Sequence, residues 1–399
     1  MRINPYRDSS FSTVDNKQNT AIRNKLLPGY GGKDVDNLHG IIDEQVAELV
    51  HLLDRNYISN ADGGHGVVVV VDLAQKVQFF ALDVISTLAF GKTLGFLAED
   101  KDQYHYIETT GKTVHLLVSS ALIPGVISVL QSPHLRWVMP RIENMAGIGH
   151  VIRFAREAVA QRYGHHGDDD DDARSKRDML GSFVAHGLSR EDCESEALVQ
   201  LIAGSETTAT AIQAILLFLM TSPQVCARLQ AELDAAIDER RVSSPITDAE
   251  ARALPYLQAV ILEGLRMFPP AAALYPKVSA QDEVVCGVRV PAGTNVAWSP
   301  WSMMRDAATF GPDADVFRPE RWLHDTNPVM EQTVMMAFAA GSRWECLGRN
   351  IAMIELNKVF VEVRESSPRP LWKYCAAPVL MLDLMVLILA IATLRFHAG

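Results

Sequence analysis

The chain has 399 residues, 48% hydrophobic and 21% charged, with a formal net charge of −11. That much apolar sequence supports one large core or two ordinary domains, and the acidic balance, without a basic stripe, excludes nucleic acid as a partner. Five scattered cysteines (Cys193, Cys226, Cys286, Cys346, Cys375) without a CxxC pair exclude a disulfide framework or cysteine-type zinc site and fit a reducing compartment.

The first residues, Met1 to Arg7, hold no apolar core of signal-peptide length. Leu38, Ile41, Ile42, Val46, Leu49, Leu52 and Leu53 then form a stripe that predicts an amphipathic helix over 35–54. Residues 73–90 predict a more apolar helix ended by Gly91, and residues 150–163 another. The latter runs into Gly164-His165-His166-Gly167 and the aspartates 168–172. Five adjacent like charges cannot pack, so a solvated loop is expected there, and the two histidines lack the ordered neighbours of a metal site. Residues 195–220 predict a long apolar helix, and 224–238 and 247–268 two more. Strand character is confined to about 275–297, where Val284, Val285, Val288 and Val290 precede the turn Pro291-Ala292-Gly293. A helix is expected over 350–363. Finally, residues 376–394 form an apolar run broken only by Asp383 and flanked by Arg369, Lys373 and Arg395. Its length suits a membrane helix, although an aspartate at mid-membrane costs a few kcal/mol, and a buried terminal helix is the alternative. The chain therefore reads as mainly α with a small β element.

Four segments carry chemistry. Ala203-Gly204-Ser205-Glu206-Thr207-Thr208 lies mid-helix, where a glycine, an acid and two threonines are poor choices for a buried interior. Such a violation marks either a functional site, where Gly204 admits a flat ligand and a freed Thr207 hydroxyl holds water or dioxygen, or a kinked core helix. Glu263 and Arg266, three apart in apolar surroundings, are placed to pair on one helix face. Arg321, in Phe317-Arg318-Pro319-Glu320-Arg321-Trp322, is placed to complete a buried charge network with them. In Phe338-Ala-Ala-Gly341-Ser-Arg343-Trp-Glu-Cys346-Leu-Gly348-Arg, a cysteine precedes a helix, whose N–H groups favour a thiolate. Gly341 and Gly348 allow close backbone approach to a flat ligand, and Arg343 offers a fixed cation. A lone thiolate in this setting suits a haem iron, while a small buried hydrophobe is the plainer reading.

Together, in this order, the four segments resemble the cytochrome P450 family of haem-thiolate monooxygenases, over roughly residues 7–363. Phe79-Phe80-Ala81-Leu82-Asp83-Val84-Ile85-Ser86 and the Pro-Ala-Gly-Thr turn look like its fungal secondary-metabolism branch, which includes pisatin demethylase. The resemblance implies that fold and a monooxygenase inserting one oxygen atom from O2 into an apolar small molecule of secondary metabolism. It implies haem, with Cys346 as iron ligand, Phe338 shielding the sulfur, and Arg343, Arg23 and Lys277 on the haem propionates. Asn19 stands where the family often has an aromatic residue or histidine. Glu206 and Thr207 would manage dioxygen protonation, and Glu263, Arg266 and Arg321 would form the structural network. Electrons would come from NADPH through NADPH–cytochrome P450 reductase, since the chain has no nucleotide fingerprint, and the setting implied is the endoplasmic reticulum membrane, here through the apolar tail.

The sequence departs from the family pattern in three places. Two residues, Trp344 and Glu345, separate Arg343 from Cys346 where the family has one. The extra residue is expected to displace the sulfur by up to about 3 Å, and Glu345 to raise the thiol pKa. By the resemblance, the family's usual anchor and first sheet are expected to have no counterpart before Met1, and its last strands none after about Arg364. Similarity ends near Arg364, so residues 1–364 read as the haem domain and 365–399 as an atypical tail, an altered reading frame or retained intron being the expected origin. The alternatives are a haem-thiolate enzyme of non-oxygenase chemistry, or a non-catalytic membrane-associated remnant.

Overall fold

The computed structural model describes residues 7–57, 71–111, 147–163, 177–272, 274–323 and 327–365. The aspartate run and the apolar run 376–394 lie outside them. Among the described residues the chain is mainly helical with two antiparallel strand pairs, as expected.

The longer helices in chain order are α1 (Asn16–Tyr30), α2 (Leu38–Asn56), α3 (Leu73–Phe90), α4 (Ile148–Tyr163), α5 (Met179–Ala185), α6 (Arg190–Thr221), α7 (Pro223–Asp238), α8 (Pro255–Met267), α9 (Pro328–Met335) and α10 (Arg349–Glu365). Side-chain caps explain several starts. Asp15, Asp72, Asp178 and Ser189 accept from the backbone N–H groups of Gln18, Gln75, Gly181 and Asp192. Gly91, at φ +67°, ends α3. The expected helix over 247–268 is two: Asp248–Arg252 and α8. Pro255 has no N–H to donate and holds Leu254 extended, so the chain restarts there with proline in the first turn.

Buried faces set the packing. Ile42, Val46, Leu49 and Leu53 line one side of α2, while α3 is buried almost throughout. The 32-residue α6 runs along α3 and also meets α4, α8 and α10, and α10 closes back on α2. Helices α2, α3, α6 and α10 enclose an apolar cavity of about 30 Å³ lined by Leu49, Leu53, Val77, Leu216, Val359 and Phe360 among others. Among the described residues, two helices, Leu73–Phe90 and Arg190–Thr221, are long and apolar enough to cross a membrane, but most of each lies inside the fold.

The β element has four short strands: β1 (Tyr275–Val278), β2 (Glu283–Val285), β3 (Val288–Val290) and β4 (Asn295–Trp298). β2 and β3 form a hairpin, and β1 pairs with β4 so that Tyr275 faces Trp298 and Lys277 faces Val296.

Candidate active site

Glu263, Arg266 and Arg321 form one buried charge network. Glu263 and Arg266 are fully buried and joined by two 2.8 Å bonds, Arg266 Nε to Oε2 and Nη2 to Oε1. Arg321 Nε donates to Oε1 at 2.9 Å, the Arg318 N–H to Oε1 at 2.8 Å and Trp322 Nε1 to Oε2 at 2.9 Å. The guanidinium groups also donate to carbonyls: Arg266 to Met304, Ala314 and Val316, Arg321 to Phe310, Asp313 and Val316. One carboxylate thus fastens α8 to the turn Pro319–Trp322 and to the 304–316 stretch, upstream of the cysteine loop.

The loop leaves α9 through the turn Met336–Phe338. Ala339 (φ +50°) and Gly341 (φ +76°) take left-handed backbone, which glycine adopts without strain. The Cys346 N–H returns to the Phe338 carbonyl at 2.8 Å and closes the loop. Phe338 is half-buried against the core. A Cβ on Gly348 would lie 3.9 Å from the Cys346 sulfur, and one on Gly341 would meet nothing within 4 Å.

Cys346 is solvent-exposed, yet the protein packed about the rest of the residue pushes its thiol pKa up; the Gly348 N–H, Arg23, and the N–H and charge of Arg349 oppose that rise. The Glu345 carboxylate accepts the Gly341 N–H at 3.1 Å and pairs with Arg349 at 2.8 Å. The Glu345 carbonyl accepts from Arg23. The extra residue is held at both ends rather than left as slack.

Three cations surround this loop. Arg23 loses basicity by burial, against the charges of Cys346, Glu345, Tyr30 and Glu196. Lys277 is half-buried, with its Nζ 3.7 Å from the centre of the Trp344 ring; burial alone lowers its pKa. Arg343 is exposed, 6.0 Å from the same ring. Neither Lys277 nor Arg343 has a carboxylate partner among the described residues. Two unpaired cations beside a cysteine whose flanking glycine leaves the sulfur clear suit a flat, anionic, metal-bearing cofactor. Asn19 is committed elsewhere: its buried amide donates to the Ser10 carbonyl at 2.7 Å.

On α6 two expectations are corrected. The Thr207 hydroxyl is not freed from the turn; it donates to the Ala203 carbonyl at 2.8 Å, and the helix is unbroken from Arg190 to Thr221. Gly204 serves a neighbouring helix: a Cβ there would come within 2.7 Å of Ile85 Cγ1, so the glycine lets α3 and α6 approach. Glu206 accepts from Gln78 Nε2 at 2.9 Å; burial pushes its carboxyl pKa up, and that bond opposes the rise. Gln78 was missed in the sequence because it lies 128 positions from its partner. Trp298 was missed too; it stands opposite Tyr275 in the β1–β4 pair, whose two strands are separated in the chain by the β2–β3 hairpin.

The cytochrome P450 family model matches residues 3–363. Similar proteins include cytochrome P450 monooxygenase aba1 of Botryotinia fuckeliana (37% identical, covering 91% of this chain and 70% of that protein) and cytochrome P450 monooxygenase abl1 of Leptosphaeria maculans (37%, covering 90% and 63%). A third is cytochrome P450 monooxygenase mpaDE of Penicillium roqueforti, 30% identical over 88% of this chain and 40% of its own length. With its cysteine loop, buried Glu–Arg–Arg network and unpaired cations, the chain belongs to the cytochrome P450 family, the haem-dependent monooxygenases that draw electrons from a reductase partner.

Proposed function

We propose that this haem monooxygenase oxidises an apolar small molecule of fungal secondary metabolism, with Cys346 as the iron ligand. The observation that carries the assignment is the closed loop that presents this sulfur ahead of α10, ringed by Arg23, Lys277 and Arg343. Bound there, a haem-thiolate supplies oxygen activation, because thiolate donation favours O–O cleavage.

The chain's own groups bind, hold and deliver. Arg343, Lys277 and Arg23 would hold the cofactor's carboxylates. Phe338, whose carbonyl closes the loop, would shield the sulfur. Gly341 supplies the left-handed turn, and Gly348 keeps the space beside the sulfur free of a side chain. Glu263, Arg266 and Arg321 keep the approach to the loop rigid. Glu206 is the acid on α6 placed to exchange a proton, with burial raising its carboxyl pKa and the Gln78 bond opposing that rise. The Thr207 hydroxyl, its proton turned to Ala203, retains lone pairs to accept from a donor. The redox partner is NADPH–cytochrome P450 reductase, and the enzyme works at the endoplasmic reticulum membrane, with 376–394 as the attaching segment. Residues 1–364 form the haem domain.

The full chain, supplied with haem, reduced and treated with carbon monoxide, should give a red-shifted Soret band that Cys346→Ser abolishes. Absence of the band in the unsubstituted chain, or its survival in the serine variant, overturns the assignment.

A further inference from the structure

A buried hydrogen-bond donor beside this site has no partner. The Trp298 indole Nε1 is shut off from solvent and, among the described residues, meets no acceptor. Buried donors are nearly always satisfied, so an orphan calls for an absent acceptor. The residue is firmly placed: Trp298 ends β4 opposite Tyr275, and their rings stack at 5.1 Å and 11°.

Its neighbours set the chemistry of the missing acceptor. Lys277 lies two residues beyond Tyr275 on β1, on the same sheet face, with its Nζ 6.0 Å from the Trp298 ring. This ammonium has no carboxylate partner among the described residues. The Tyr275 phenol lies close enough to feel the charge of Cys346, so the strand pair adjoins the cysteine. An N–H donor and an unpaired ammonium on one face call for an anion, and a carboxylate meets both in one plane. On α1, the Asn19 amide donates to the Ser10 carbonyl, and Arg23 gives an N–H to the Glu345 carbonyl. The donors on α1 are therefore partly spent on protein.

We propose that the Trp298 indole N–H, acting with Lys277, binds a carboxylate of the haem and is a positioning residue for the cofactor. The proposal rests on the haem assignment above.

The test compares two porphyrins: haem, and haem dimethyl ester, whose carboxylates are blocked. Each is loaded into the full chain, and its loss to excess apomyoglobin is timed. Trp298→Phe keeps the ring stack and removes only the N–H. Because a hydrogen bond to a charged acceptor is a strong one, the variant should lose haem about tenfold faster and lose the diester at the unsubstituted rate. Lys277→Met, which removes the charge and keeps an unbranched apolar stem at this half-buried position, should show the same selectivity and keeps the test open should the phenylalanine variant not fold. Equal acceleration for both porphyrins would mean a packing role, and no acceleration for either would mean the donor faces something else; both overturn the proposal. Failure of the unsubstituted chain to form the red-shifted carbon monoxide complex overturns the haem assignment instead, so the two failures are distinct.

Discussion

Replacing Glu263 by glutamine tests whether one buried carboxylate holds the architecture behind the cysteine. Oε1 accepts from Arg266 Nη2, Arg321 Nε and the Arg318 N–H, while Oε2 accepts from Arg266 Nε and Trp322 Nε1. Every direction is taken by a donor. A glutamine amide, whichever way it turns, sets its NH2 against at least two of them; Arg266 loses its counter-charge, and Arg321 keeps only Asp313, at 3.4 Å. At about 1.5–3 kcal/mol for each lost bond to a charged group, the loss is about 3–6 kcal/mol, in line with the roughly 3–5 kcal/mol for breaking a buried ion pair. Against a total stability of about 5–15 kcal/mol, that decides whether the chain stays folded. Urea unfolding followed by far-ultraviolet circular dichroism reads it, provided the slope against denaturant is unchanged. The exposed pair Arg190–Glu194, at helical i, i+4 spacing, is the control: Arg190→Ala should change stability by no more than about 0.5 kcal/mol. If Glu263→Gln stays within about 1 kcal/mol of the parent, the network is decoration and the reasoning fails.

Gly204→Ala would raise helix propensity by about 1 kcal/mol in open space, but the new Cβ meets Ile85 at 2.7 Å, so a net loss of about 1 kcal/mol is expected in thermal or urea melts. Adding Ile85→Ala to that variant should lower stability by less than it does in the parent. Glu355 is buried, its Oε2 unpartnered, and burial raises its pKa well above 4.5. The folded state therefore binds this proton more tightly than the unfolded state, and stability falls as pH rises above about 4.5. Glu355→Gln should accordingly gain on the parent between pH 5 and pH 8 in denaturant titrations; a difference that does not grow with pH counts against this. Glu345→Ala removes the pair with Arg349 and the acceptor for the Gly341 N–H, and should reduce the fraction of haem-loaded protein showing the thiolate-type carbon monoxide band, with Glu345→Asp restoring part of it.

What could be read from the sequence was local. A cysteine before a helix, acid and arginine one turn apart, and a proline-anchored arginine announce themselves by spacing, because helix geometry fixes which neighbours can meet. Helix ends were legible where a cap was present, as at Asp72 and Gly91, and misread where proline restarts a helix, as at Pro255. Partners far apart in the chain were not legible: no spacing rule links Gln78 to Glu206, or Trp298 to the cysteine loop.

Gly204 and Glu345 show how one residue type serves opposite ends. Gly204 looked like access for a ligand because glycine in a helix interior is unfavourable, yet a helix crossing demands it just as strongly, and only the position of Ile85 separates the two. Glu345 looked like disruption because an added residue lengthens a tight loop and adds charge beside a thiol. The loop accommodates it because the residue brings its own fasteners: a carboxylate that spans from the Gly341 N–H to Arg349, and a carbonyl held by Arg23. Lengthening a loop disorders it only when the added backbone groups find no partners, since unfixed backbone retains its entropy and unpaired polar groups cost free energy once buried. In the cysteine loop those groups are partnered, and the chain closes on itself through the Cys346 N–H and the Phe338 carbonyl at 2.8 Å.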